Sequence, residues 1–181
     1  MSLTSDTSSS LSLPSAIKGA VDILNQGIQF LSAITDEEYN HKATPHVDST
    51  IGEHFRHTLD LFHALILQEN QQINYNTRRR GHHIETNKSI ALDELHYISD
   101  WLLQLQPHAL SHKVIIETEV SLDNQICESM TSSLEREITF AALHANHHYA
   151  MMKVIATFLQ VPVTSTFGYA PTTTSYLRGQ Q

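Results

Sequence analysis

Two groups of histidines carry the clearest chemical pattern in this 181-residue chain. His144 and His148 lie four residues apart in a segment with helical periodicity, and His54 and His57 form a second, upstream pair. On an α-helix, residues four apart are separated by about 40° around the axis, so both imidazoles can reach one point. Three imidazoles with one vacant position are typical of a catalytic divalent metal site. Imidazole suits nickel, zinc and iron, and the spacing alone does not choose among them.

The third ligand has to come from the upstream pair. If the two helices that carry the histidines are antiparallel, His57 lies about 12 Å from the start of its helix and His148 about 18 Å from the end of the other. These depths agree to about one helical turn. We therefore predict one divalent metal ion per chain, held by His57, His144 and His148. His54 remains the alternative upstream ligand.

Other side chains near the predicted ligands are candidates for supporting roles. His147 is rotated by about 100° from His148 on a helix, so it cannot easily share the metal and would support a ligand or pack on a neighbouring helix. Asp60 follows His57 by less than one turn and is a candidate hydrogen-bond partner for an imidazole N–H. No acid/base pair in the sequence is unmistakable, and no catalytic residue is assigned.

Hydrophobic periodicity predicts the elements that position these residues. Ser49 and Thr50 are candidate caps at the start of the helix that contains His57, and Glu53 is placed to close a capping box. The segment 113–127 is rich in β-branched residues that partly alternate, which indicates a short β-hairpin before the last helix. Residues 1–13 read as a Ser/Thr-rich flexible tail, and residues 14–178 as a single all-α domain, a four-helix bundle. The four amphipathic helices are expected at about 15–35, 49–75, 89–106 and 132–160.

Composition excludes several functions. The formal net charge of −8 argues against a nucleic-acid partner, because binding to phosphate backbones needs a basic surface. The one basic run, at 78–80, is predicted to be a solvated turn. The alternative is that Arg78 or Arg80 receives an anionic substrate at the mouth of the site.

Cys127 is the single cysteine, which excludes an intrachain disulfide and fits a reducing compartment. With no membrane span or secretory signal in the sequence, we expect a cytoplasmic protein.

Several motifs resemble those of the DinB-like family (DinB/YfiT) of metal-dependent four-helix-bundle proteins. A helix-start Ser/Thr, the triplet Ile51-Gly52-Glu53 and then His57 look like the family's early motif, and His144-x-x-x-His148 resembles its late motif. The segments NYNTRRRGHHIE and FGYAPTTTSYLR extend the similarity, which covers about 14–178. The resemblance implies an up-down-down-up bundle, the ligands His57, His144 and His148, and often a homodimer. Members with known activity include transferases and isomerases that use a low-molecular-weight thiol.

Two functions follow from these expectations. An open three-histidine metal site would activate water or a thiol, as in a hydrolase or a thiol-dependent transferase acting on a small-molecule substrate. The alternative is a non-catalytic, dimerising stress-related protein in which the metal holds the bundle together. A weaker third possibility is that the histidines are core residues that bind no metal.

Overall fold

The computed structural model describes residues 12–180, so most of the predicted tail, 1–13, lies outside the described residues. The described part is mainly helical, with six α-helices and a three-stranded sheet. Helices α2 (Asp36–Asn40) and α6 (Pro171–Arg178) are short, and short 3₁₀ turns occur at His83–Glu85 and Pro107–Ser111. The four long helices are α1 (Ser15–Ala33), α3 (Ile51–Ile66), α4 (Lys88–Gln104) and α5 (Leu134–Phe158).

The helix predicted from about 49 to 75 ends earlier than expected, at Ile66. Asn70 and Gln71 adopt φ angles of 49° and 64°, a left-handed conformation that cannot continue a right-handed helix. The chain then forms strand β1 (Gln72–Asn74). Ile73 and Tyr75 are buried while Gln72 and Asn74 are exposed, so the alternation of a strand replaces the helical stripe.

The predicted hairpin is present, but its second strand comes later than expected. Strand β2 (Lys113–Glu119) pairs antiparallel with β3 (Cys127–Ser133), which leads directly into α5. The connection therefore occupies 120–126. Strand β1 adds to β2 in parallel, giving the order β1-β2-β3. The all-α prediction is thus corrected to a helical domain with a small mixed sheet.

The long helices enclose one hydrophobic core. Each packs against two of the others, in the ring order α1, α5, α3, α4. The predicted capping box at the start of α3 is confirmed: the Thr50 hydroxyl accepts a bond from the Glu53 N–H, and the Glu53 carboxylate accepts one from the Thr50 N–H. Ser133 caps α5 by accepting from the Arg136 N–H. In the described part of the chain, every helix is too short or too polar to cross a membrane.

Candidate metal centre

Three imidazole nitrogens converge between α3 and α5. His144 Nε2 lies 3.0 Å from His57 Nε2 and 3.1 Å from His148 Nε2, and one nitrogen of each residue lies within 4.8 Å of the other two. Nitrogen ligands at about 2.0–2.1 Å from a metal are separated by about 3 Å when they occupy neighbouring positions. The spacing of the three Nε2 atoms therefore fits a single ion.

The helices approach each other in the direction that the sequence argument assumed. His57 contacts His144, whereas His54, one turn earlier on α3, contacts His148, one turn later on α5. Contacts that advance along one helix and recede along the other show that α3 and α5 are antiparallel. The i, i+4 spacing on α5 then supplies two imidazoles at the level where α3 supplies one.

The three imidazoles are uncharged at neutral pH. Burial lowers the pKa of His57 to about 4, with a further contribution from His144. Burial also lowers the pKa of His148 to about 3, with contributions from the neighbouring histidines, and it lowers the pKa of His144. A neutral imidazole has one nitrogen that carries a proton and one that offers a lone pair. Metal coordination requires that neutral form.

Hydrogen bonding within the trio cannot satisfy all three Nε2 atoms. A proton on one Nε2 can form only one well-aligned short hydrogen bond, yet His144 Nε2 faces both neighbours at about the same distance. Buried polar atoms without partners are costly. A cation at the shared point would accept all three lone pairs, so the donor set fits a divalent metal ion.

His54 is not one of the three converging residues and instead contacts one of them, His148. Its Nδ1 lies 2.9 Å from Nδ1 of His148. If His148 offers its Nε2 lone pair, its proton is on Nδ1 and is donated to His54, whose own proton is then on Nε2. That Nε2 atom is buried and has no hydrogen-bond partner among residues 12–180. His147 is exposed, with its ring centroid 5.5 Å from that of His148, so it flanks the group from the solvent side.

Among residues 12–180, the hydrogen bonds of Asp60 go to arginines and to no imidazole, so its expected role beside a ligand stays a prediction. Arg79 Nε donates to Asp60 Oδ1 at 2.6 Å, and Arg56 Nη1 donates to Asp60 Oδ2 at 3.0 Å. Two guanidinium groups therefore occupy both oxygens of this buried carboxylate. Arg56 also donates to Glu85 at 2.8 Å, and Arg79 donates to both oxygens of Glu94. Asp60 thus joins α3 to the segment after β1 and to α4.

The three consecutive arginines have three different environments, so the run expected to be a solvated turn at 78–80 is solvated only in part. Arg79 is held by Asp60 and Glu94, while Arg80 is exposed. Arg78 is half-buried on the side of the histidines, and it lines a cavity together with His57 and His144. The partners of Arg79 lie far away in the sequence, which is why the run alone gave no hint of this division.

The cavity beside the histidines has a volume of about 260 Å³. His57 and His144 form part of its wall, so a small molecule inside it would contact two of the three converging imidazoles. The rest of the lining combines polar and apolar groups. The remaining lining residues are Leu61, Tyr75, Arg78, Ile116, Thr118, Met130, Arg136, Glu137 and Phe140.

Tyr75 and Glu137 are cavity residues that the sequence reasoning did not assign to the site. Glu137 is fully buried, and it accepts bonds from the Tyr75 hydroxyl at 2.7 Å, from Arg136 at 2.7 Å and from Ser132. Burial raises the pKa of Tyr75, as does its bond to Glu137. Glu137 lies seven residues before His144, a spacing that places both on one helix face. This seven-residue spacing is the sequence pattern that could have identified Glu137 as a site residue.

Comparisons with known proteins assign no family. No family model matches the chain, and no solved structure matches it. A protein named FK506-binding protein 5, from Rhizopus delemar, is 27% identical over 108 residues, which is 60% of this chain. The match spans only 28% of that protein, so the chain corresponds to little more than a quarter of its length. The resemblance to the DinB-like family therefore stays a prediction.

Proposed function

We propose that this protein is a metal-dependent enzyme that holds one divalent ion, nickel, zinc or iron, through Nε2 of His57, His144 and His148. The observation that carries the proposal is the convergence of three neutral imidazoles, two of which, His57 and His144, line a cavity. When bound, such an ion lowers the pKa of a water or thiol ligand and so supplies a nucleophile near neutral pH. The proposed reaction class is therefore hydrolysis or thiol-dependent transfer.

The surrounding carboxylates support an open site. In the described part of the chain, the group of possible ligands contains only the three histidines. Asp60 is occupied by Arg56 and Arg79, and Glu53 is occupied by the Thr50 capping box. A three-histidine site without a fourth protein ligand is the arrangement found in catalytic rather than structural zinc centres.

A non-catalytic role is the second candidate, and one observation favours it. The ligands lie on two helices, so an ion would cross-link α3 to α5 and stabilise the folded state. Glu137, the one carboxylate in the cavity, already accepts bonds from three donors, which leaves it poorly placed as a general base. In this role the protein would keep its metal but leave no position for an exchangeable ligand.

A cobalt-substituted form distinguishes the two candidates. If the site is open, a low-molecular-weight thiol added to the cobalt protein will change its visible absorption spectrum, because the thiolate enters the coordination sphere. The exposed His147→Ala variant serves as the control and should respond like the unmodified protein. A cobalt spectrum that is indifferent to both thiols and small anions would favour the structural role.

The finer fold assignment is also a proposal. The antiparallel relation of α3 and α5 and the ring of four long helices support an up-down-down-up, DinB-like bundle. The homodimer, the thiol co-substrate and the cytoplasmic location remain predictions from the sequence.

A further inference from the structure

The cavity beside the histidines carries an excess of positive charge in a chain whose net charge is −8. Two guanidinium groups, Arg78 and Arg136, and one carboxylate, Glu137, line it. Arg136 forms an ion pair with Glu137 at 2.7 Å, which leaves the charge of Arg78 without an opposite charge in the cavity lining. A concave site lined by one sign of charge concentrates ligands of the opposite sign.

Arg78 has a buried hydrogen-bond donor that meets no acceptor in the described part of the chain. Its Nη1 is buried and unpartnered among residues 12–180. Within the same residues, the ion pairs of arginine side chains involve Arg56, Arg79 and Arg136. Leaving a charged donor buried and unpaired is unfavourable. The donor geometry of Arg78 therefore points to an acceptor that the chain itself does not supply.

The position of Arg78 places that acceptor beside the proposed metal ligands. Arg78 lines the same cavity as His57 and His144. Burial lowers the pKa of both histidines most, and the positive charge of Arg78 lowers it further. The next residue, Arg79, is held by Asp60 and Glu94, which fixes the chain beside Arg78.

We propose that Arg78 binds the carboxylate of a small organic acid inside this cavity, next to the three histidines. This inference rests on the proposed function and names the substrate class of that site. A planar guanidinium matches a carboxylate through two parallel N–H···O bonds. The wall formed by Leu61, Ile116, Met130 and Phe140 suits an apolar body. The volume of about 260 Å³ falls just below the range of about 300–1,000 Å³ that holds drug-sized ligands, so the acid is small.

Benzoate and the neutral benzamide are suitable probes, because they differ mainly in charge. Each would be titrated calorimetrically into the full chain, in its metal-loaded and metal-free forms, and into Arg78→Gln and Arg80→Gln variants. We expect benzoate to bind more tightly than benzamide, and Arg78→Gln to weaken benzoate binding by about tenfold or more. Arg80→Gln removes the same charge from an exposed position and should change the dissociation constant by less than about twofold.

Each outcome either supports or overturns the carboxylate subsite. Equal benzoate affinity in the unmodified protein and Arg78→Gln would overturn it, and so would equal losses in the two variants, since that would show a general charge effect. Metal loading tests the proposed function, and the metal-free titration tests the subsite separately. If the protein takes up no metal but benzoate binding still depends on Arg78, the subsite is retained and the metalloenzyme is rejected. Should Arg78→Gln fail to fold, Arg78→Lys keeps the charge without the planar fork and should lose part of the affinity. The comparison of benzoate with benzamide needs no variant, and equal binding of the two would also contradict the proposal.

Discussion

Helix α3 contributes residues to two polar clusters. The clusters differ in whether their members satisfy one another's hydrogen bonds. The arginine–carboxylate network comprises Arg56, Asp60, Arg79, Glu85 and Glu94, and each of its carboxylates accepts at least one guanidinium N–H. The histidine cluster comprises His57, His144 and His148, whose Nε2 atoms face one another without an opposite charge.

The difference separates a structural role from a binding role. A buried polar group that is fully paired within the chain holds elements together and needs nothing from outside. A half-buried set of like groups that cannot all pair with one another favours an external partner, and for three imidazole lone pairs that partner is a cation. We therefore assign the network to stability and propose ligand binding for the histidine cluster.

Removal of Asp60 should produce the largest loss of stability, because it leaves two partly buried guanidinium groups without their shared carboxylate. The Asp60 side chain is 1% exposed, and breaking such a buried pair costs about 3 kcal/mol or more in the free energy of unfolding. Asp60→Ala and Asp22→Ala would be compared by denaturant unfolding. Asp22 pairs with Lys18 at the surface, with 59% exposure, and its loss should cost less than about 1 kcal/mol. Similar losses in the two variants would remove the distinction between the network and an ordinary surface pair.

Gly52→Ala should weaken the same network by displacing its backbone support. A Cβ at Gly52 would lie 2.1 Å from the backbone oxygen of Glu85, whose carboxylate pairs with Arg56. We expect a loss of about 1–3 kcal/mol in the free energy of unfolding, as for overpacked cores. Gly19 is the matched control because nothing lies within 4 Å of its added Cβ, and Gly19→Ala should stabilise α1 by about 0.5–1 kcal/mol. Thermal or denaturant unfolding that gives the same sign for both variants would contradict the close packing at Gly52.

His54→Ala should weaken metal binding without abolishing it, since His54 orients His148 through their Nδ1 atoms. Loss of such a supporting hydrogen bond typically lowers metal affinity by about 10–100-fold. Competition with a chromophoric chelator measures the change, and the exposed His147→Ala variant should match the unmodified protein. Complete loss of metal in His54→Ala, with His57→Ala still loaded, would show that His54 is the upstream ligand.

DNA binding should be the smallest effect of all. The network already pairs Arg79 with Asp60 and Glu94, so the run at 78–80 forms no continuous basic surface on a chain of net charge −8. Phosphate contacts each require an available cation. An anisotropy titration with duplex DNA at about 150 mM salt should show no saturable binding, and saturation below micromolar protein would reopen a nucleic-acid role.

Local rules predicted the parts of the site that depend on spacing within one helix. The capping box at Thr50 and Glu53 located the start of α3, and the i, i+4 spacing of His144 and His148 placed both imidazoles on one face. Both patterns involve residues within one turn of each other, where helix geometry alone determines the contact.

Long-range pairing decided what the sequence did not show. Strand β1 has only three residues and exists because it pairs in parallel with β2, more than 40 residues later. In the same way, Arg78 and Arg79 are identical neighbours in the sequence, and distant carboxylates at Asp60 and Glu94 separate their roles. Neither the short strand nor the different roles of the two arginines could be predicted from local propensity.

Metal content measured on protein purified without an affinity tag tests the histidine cluster most directly. The unmodified protein, His148→Ala and His147→Ala would be loaded identically with a divalent metal, dialysed and analysed for elemental composition. We predict about one ion per chain in the unmodified protein and in His147→Ala, and loss of that ion in His148→Ala, because His148, unlike His147, belongs to the converging trio. Full occupancy in His148→Ala, or no bound metal in the unmodified protein, would contradict the metal centre.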